Sequence, residues 1–260
     1  MTIDNHVRFE YHGNTPSADV PIISMVILST LIHILFFVLL PNTLKALTKS
    51  YLVSTLHAII CVGSVVNFFA CYSVNLRQIN RIAGGGVYGT GDEIMIYSIS
   101  YSLGYFIYDF LLMLTDKSVR STTALVHHII VLLGLSSGIK YRICHPCHFY
   151  LLMEEASTIP LNLKAICHHR PRLHDFFGYL FILSFFLSRL IYGSIVTGYA
   201  FRAAPSFLLM AINTSDYLSI VIGLTQAGLC ILTRVLNIYW AILIFRKVFS
   251  SSKSQNTKSS

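Results

Sequence analysis

LVHHIIVLLGLSSGIKYRICHPCHFYLLMEEASTIPLN, residues 125–162, decides the fold. Two apolar segments, each close to membrane-spanning length, are joined by a short polar turn. The first carries His127 and His128 in its middle, and the second carries Glu154 and Glu155. An ionisable side chain at the centre of a bilayer costs about 2.5–3.5 kcal/mol or more. Such groups therefore face a bundle interior or a wet cavity and mark function.

Composition extends this reading to the whole chain. Of 260 residues, 54% are hydrophobic and only 12% are charged, with a mean hydropathy of +0.65. A soluble domain carries roughly 25% charge, so the chain reads as an all-α polytopic membrane protein. Its net charge of +8 is spread in short basic clusters between apolar runs. That is the pattern of the positive-inside bias, and nucleic acid is not an expected partner. Residues 1–19 are polar, and the apolar run that follows is longer than the roughly 7–15 residues of a signal-peptide core. No cleavable signal is expected.

A span needs about 20 mostly apolar residues. Seven segments qualify as transmembrane helices: 20–40, 51–72, 94–114, 122–139, 147–165, 176–200 and about 222–245. Pro21 and Pro41 bracket the first, as residues that start and stop helices. The apolar stretch 207–212 is too short to cross and reads as an interfacial or re-entrant piece. One set of alternate loops holds Lys45, Lys49, Lys117, Arg120, Lys164, Arg170, Arg172, Arg246, Lys247, Lys253 and Lys258. The other holds only Arg8, Arg77, Arg81, Lys140, Arg142 and Arg202. This asymmetry predicts a luminal N-terminus and a cytoplasmic C-terminus. Residues 250–260 read as a disordered cytoplasmic tail.

Depth follows from the helical rise of about 1.5 Å per residue. Counted from the luminal ends, Asp109 lies about 22 Å deep, His127 and His128 about 18 Å, and Glu154 and Glu155 about 11 Å. Arg189 and Arg234 fall at about 16–18 Å. Ionisable groups from several helices thus share one layer. Neighbouring residues on a helix point about 100° apart. One imidazole of the pair is therefore expected to face a cavity while the other packs between helices and orients it. The two glutamates divide in the same way. A deep histidine acts as a general base or nucleophile when a carboxylate fixes its tautomer, and Asp109 and Glu155 are the available carboxylates. The alternative is an ion-pair lattice with Arg189 and Arg234 as counterions. The i, i+4 histidine pair of helical metal sites is absent, and no metal is expected. His33 and His57 read as buried, hydrogen-bonded residues.

Two motifs invite misreading. Gly84-Gly85-Gly86-Val87-Tyr88-Gly89 matches G-x-G-x-x-G but follows no strand, so it reads as a flexible loop. Cys144-His145-Pro146-Cys147-His148 matches the C-x-x-C-H haem pattern. Beside a membrane it reads instead as a luminal disulfide or free thiols, while Cys230 reads as a small hydrophobe in its helix.

An ordered series of pieces resembles the TLC-domain family, which includes ceramide synthases and a TLC domain-containing subgroup. The pieces are Ser54-Thr55-Leu56-His57, Tyr105-x-x-Tyr108-Asp109-x-x-Leu112-Met113, His127-His128, and Glu155-Ala156-Ser157-Thr158-Ile159-Pro160-Leu161-Asn162-Leu163-Lys164. The last is similar to the E-x-S-T-P-F-x-N-x-R stretch of that subgroup. The resemblance covers roughly residues 49–249. It implies six helices in a barrel around a lipid chain, preceded by a luminal segment (1–19) and an extra helix with its cytoplasmic loop (20–48). It also implies an endoplasmic-reticulum membrane and a role in lipid homeostasis. His127, His128, Asp109 and Glu155 become the candidate catalytic set. Glu154, Ser157, Asn162, Arg189 and Arg234 become the candidate lipid contacts. In ceramide synthases the histidine pair serves N-acyl transfer, with acyl-CoA as co-substrate and no bound cofactor. Their following H-D-x-x-D pattern is replaced here by Met153, Glu154 and Ser157. Three functions therefore stand side by side: a protein of lipid homeostasis holding a fatty-acyl or sphingoid chain, an N-acyltransferase of ceramide-synthase type, and a non-catalytic lipid-binding cargo or scaffold protein.

Overall fold

Lipid offers no hydrogen-bond partner to a backbone, so apolar stretches of this length close their bonds internally as helices. The computed structural model describes residues 16–71 and 92–256, with side chains for 21–71 and 93–248. The glycine-rich stretch at 84–89 lies outside the described residues. Among those residues the chain is helical, with no strand: α1 (Pro16–Leu39), α2 (Ala46–Cys71), α3 (Asp92–Thr115), α4 (Thr122–Tyr141) and α5 (His145–Leu151) come first. A 3₁₀ segment (Leu152–Ser157) leads into α6 (Thr158–Ile166). Then follow α7 (Pro171–Phe185), a π-helical segment (Phe186–Tyr192), α8 (Gly193–Asn213) and α9 (Tyr217–Asn256). Among the described residues, six helices are long and apolar enough to cross a membrane. The protein is a multi-pass membrane protein.

Four features depart from the sequence expectation or refine it. The span expected at 147–165 is a helical path in three pieces, α5, the 3₁₀ segment and α6. Pro160 cannot donate a hydrogen bond back along the helix, and the Thr158 N–H turns to Glu155 O in 3₁₀ fashion just before it. The stretch 207–212 is not a separate interfacial piece. It belongs to α8, which continues α7 and the π segment as one helical run from Pro171 to Asn213. Pro21 does not open α1 but lies inside it, because the helix begins at Pro16. Finally, α9 runs through Asn256, into the stretch that composition assigns to the tail.

Helix α1 is stitched along α3. Ser29 Oγ donates to Tyr101 O at 2.6 Å, and Thr30 Oγ1 donates to Gly104 O at 3.1 Å. So close an approach needs a glycine. A Cβ on Gly104 would stand 2.6 Å from both Ser29 Cβ and Val26 O. We expect Gly104→Leu to lower stability by about 1–3 kcal/mol through overpacking, read as a lower melting temperature of the full chain in detergent.

His33 and His57 are buried in the same seam. His33 Nδ1 donates to Ser29 O at 2.7 Å, and its Nε2 lies 3.1 Å from the Tyr101 hydroxyl. His57 stacks on Tyr105 with ring centroids 3.8 Å apart, and its Nε2 meets Ser102 Oγ at 3.0 Å. The outward residues of α1, among them Leu28, Leu31, Leu35 and Val38, are exposed, as side chains facing acyl chains should be.

Candidate functional site

Eight of the helical elements leave between them a cavity of about 370 Å³. Ser54 comes from α2, Tyr105, Phe106 and Asp109 from α3, and Ala124, His127 and His128 from α4. Glu155, Ser157, Thr158, Leu161 and Asn162 form one wall, and Phe181, Phe185, Arg189 and Trp240 another. Ala124 and Ser54 lie in the first halves of α4 and α2, while Asp109 lies in the second half of α3. The cavity therefore sits toward the end of the bundle that carries the more basic loops.

The two imidazoles divide their work as adjacent helical positions must. His128 Nδ1 lies 2.8 Å from Ala124 O, and since a carbonyl only accepts, that nitrogen carries a hydrogen. Its Nε2 lies 2.9 Å from Asp109 Oδ2. His128 and Asp109 thus face each other across the cavity wall, in a site where both are about nine-tenths buried. His127 packs edge-on against Phe106, Trp240 and the His128 ring. Its Nδ1 is buried and makes no hydrogen bond. Both imidazoles line the cavity.

A second layer is ionic. Glu154 pairs with Arg234 Nη2 through Oε1 and accepts from Asn237 Nδ2 at 3.1 Å through Oε2. Arg189 Nε donates to Ser157 Oγ at 2.9 Å, and its Nη2 lies 3.5 Å from Glu155 Oε1 and 3.4 Å from Thr158 Oγ1. Arg234 Nη1 closes the ring by donating to Arg189 O at 2.8 Å. Two carboxylates and two guanidiniums balance, as buried charges must.

Helical irregularity is what makes this geometry. In the 3₁₀ segment Glu154 turns toward Arg234 on α9, while Glu155 and Ser157 both reach the cavity and Arg189. The π segment carries Arg189. Gly193 follows it, and a Cβ there would occupy the space of Glu154 Oε1 and Arg234 Nη1. The glycine is a demand of the ion pair, not of the backbone.

The site residues expected from sequence fall into two groups. His127, His128, Asp109, Glu155, Ser157, Asn162 and Arg189 line the larger cavity. Glu154 does not; with Arg189 and His127 it borders a neighbouring cavity of about 70 Å³. Arg234 lines neither of these two cavities and belongs to the lattice. The lattice and the cavity, read from sequence as rivals, are both present and share Arg189. Sequence reasoning passed over Asn237, Thr158 and Trp240. Asn237 stands one turn beyond Arg234 on α9, so a polar stripe in an apolar helix was the signal available.

The TLC domain family model matches residues 47–246, and the chain belongs to that family. The matched region begins in α2 and ends in α9, leaving α1 outside it. A relative is TLC domain-containing protein 4 C of Dictyostelium discoideum, 26% identical over 177 residues, which cover 64% of this chain and 61% of that protein. The chain therefore spans about 61% of the length of the curated relative it matches. No solved structure matches.

Proposed function

We propose that this TLC-domain protein holds the chain of a fatty-acyl or sphingoid lipid in the 370 Å³ cavity and serves membrane lipid homeostasis. The polar head would lie against His127, His128, Asp109 and Glu155, with Arg189 and Asn162 beside it. The observation that carries the reading is one cavity that joins apolar walls to a buried imidazole–carboxyl pair 2.9 Å apart. Its size lies in the roughly 300–1,000 Å³ range of small-molecule sites. The basic loops nearest the cavity favour a cytoplasmic mouth, a luminal N-terminus and a cytoplasmic C-terminus. The endoplasmic reticulum is the membrane we propose.

The test is mass spectrometry of lipids that copurify with the full chain in detergent, wild type against Leu161→Trp. Leu161 lines the cavity at its α6 wall, where an indole would fill it. We expect at least about tenfold less bound lipid in the variant, about 1.4 kcal/mol of affinity. Wild type carrying no more lipid than a well-folded Leu161→Trp would overturn the proposal.

A second reading, N-acyl transfer, is favoured by the unpartnered Nδ1 of His127 beside the Asp109–His128 pair. Acyl-CoA would be the co-substrate. The amine nitrogen would attack the thioester carbon and lose its proton to an imidazole; the C–S bond would then break, and that proton would leave with the thiolate of coenzyme A. Lipid profiles of cells lacking the protein separate the readings. Ceramides restored by wild type, but not by His127→Ala or His128→Ala, would indicate transfer. Altered phospholipid acyl chains with unchanged ceramides would indicate homeostasis without it.

A further inference from the structure

Away from the lipid cavity, the α4–α5 turn brings three thiols together. Cys144 caps α5, Cys147 lies within its first turn, and Cys230 approaches from α9. Their Sγ atoms all lie within 4.8 Å of one another, and all three residues are buried. None is in a disulfide. Among the described residues this is the one group of three or more histidine, cysteine or acidic donors that converges so closely.

The backbone is bent to make it. Arg142 and Cys144 have φ of 53° and 63°, the left-handed region that a side chain enters only at a cost of about 1–2 kcal/mol. Cys144 opens α5 from that conformation without a side-chain cap hydrogen bond, so capping does not account for it. The neighbouring side chains fix α5 against α4 and α9. His148 Nε2 lies 2.8 Å from Gln226 Oε1, and Gln226 Nε2 donates to Gly134 O at 3.0 Å and to Ser137 Oγ at 2.9 Å. The third sulfur is thereby held in register with a C-x-x-C pair whose spacing suits a metal.

We propose that Cys144, Cys147 and Cys230 form a binding site for a thiophilic d¹⁰ metal ion, with Cu(I) preferred to Zn(II). A metal about 2.3 Å from each sulfur sets the sulfurs about 4 Å apart, a spacing this cluster can reach. Thiolates select Cu(I) and Zn(II) over harder cations. Structural zinc takes four protein ligands, and no fourth histidine or carboxylate donor joins this group among the described residues. Three-sulfur ligation suits Cu(I). On binding, each S–H bond is exchanged for an S–metal bond, and up to three protons pass to the buffer.

The experiment uses the full chain in detergent, reduced and free of chelator. Cu(I) is titrated against a chromogenic Cu(I) chelator, and Zn(II) against a fluorescent zinc indicator. We expect one tightly held Cu(I) per chain, lost in Cys230→Ala and retained in Cys71→Ala and Cys167→Ala. Because Cys230→Ala could also disturb packing, X-ray absorption of the copper-loaded wild type supplies a reading without a variant. It should show three sulfur neighbours. Zinc held by the same three sulfurs at one per chain would support the site while reversing its preference. Failure to bind either ion, a copper shell of fewer than three sulfurs, or a Cys144–Cys147 disulfide that persists in the reduced protein would overturn the proposal.

Discussion

Gly193→Val should abolish the folded protein in detergent at temperatures where wild type survives. The mechanism is local. A Cβ at position 193 would take the space held by Glu154 Oε1 and Arg234 Nη1, so the pair must separate. Separating it leaves two buried charges without their partners, a loss of about 3–5 kcal/mol. Overpacking adds a further ~1–3 kcal/mol. A membrane protein of ordinary stability, about 5–15 kcal/mol, has little left after that. The measurement is monodispersity and melting temperature of the variant beside wild type. A Gly193→Val protein with unchanged melting would mean that the Glu154–Arg234 contact is not formed in solution.

The second large effect distinguishes a charge from a pair. Glu154→Leu alone should destabilise by about 3–5 kcal/mol, since Arg234 is left buried and uncompensated. Arg234→Leu alone should cost less, because Glu154 keeps Asn237 Nδ2 at 3.1 Å and Arg189 Nη1 at 3.9 Å. The double variant should recover most of the loss, because two apolar side chains of similar volume are often as good as a buried ion pair. Arg189 lies 3.5 Å from Glu155 and neither residue is changed in these variants, so that pair stays balanced. A double-mutant cycle on melting free energies reads the coupling directly. Additive losses would show that the two residues act separately.

Much of the architecture is legible because lipid makes it so: an apolar run of about 20 residues has few alternatives to a helix. What escapes is where a helix changes type. Residues 147–165 read as one uniform span, yet the 3₁₀ segment within it decides that Glu154 faces Arg234 while Glu155 faces Arg189. A regular helix also separates the two glutamates, but it does not assign them. Pro160 was the visible hint. The Asp109–His128 pair follows more nearly from arithmetic, since both fall within about 4 Å of the same depth. The thiol cluster was hidden for another reason. Cys230 in its own helix is one more small hydrophobe, and only the packing of α9 on α4 brings it to the C-x-x-C turn.

The helical run from Pro171 to Asn213 carries one more implication, which concerns the surrounding bilayer. Its 43 residues measure about 64 Å along the contour, roughly twice the 30 Å of hydrocarbon that a bilayer supplies. Leu209, Ile212, Leu218 and Val221, at the hairpin where this run meets α9, are exposed yet greasy, so they gain nothing from standing in water. A run this long fits by leaning, by bending at its π segment or at Pro205, or by thickening the lipid around it, and each response makes the protein sensitive to membrane thickness. Its residence among cellular membranes would then depend on the length of their acyl chains.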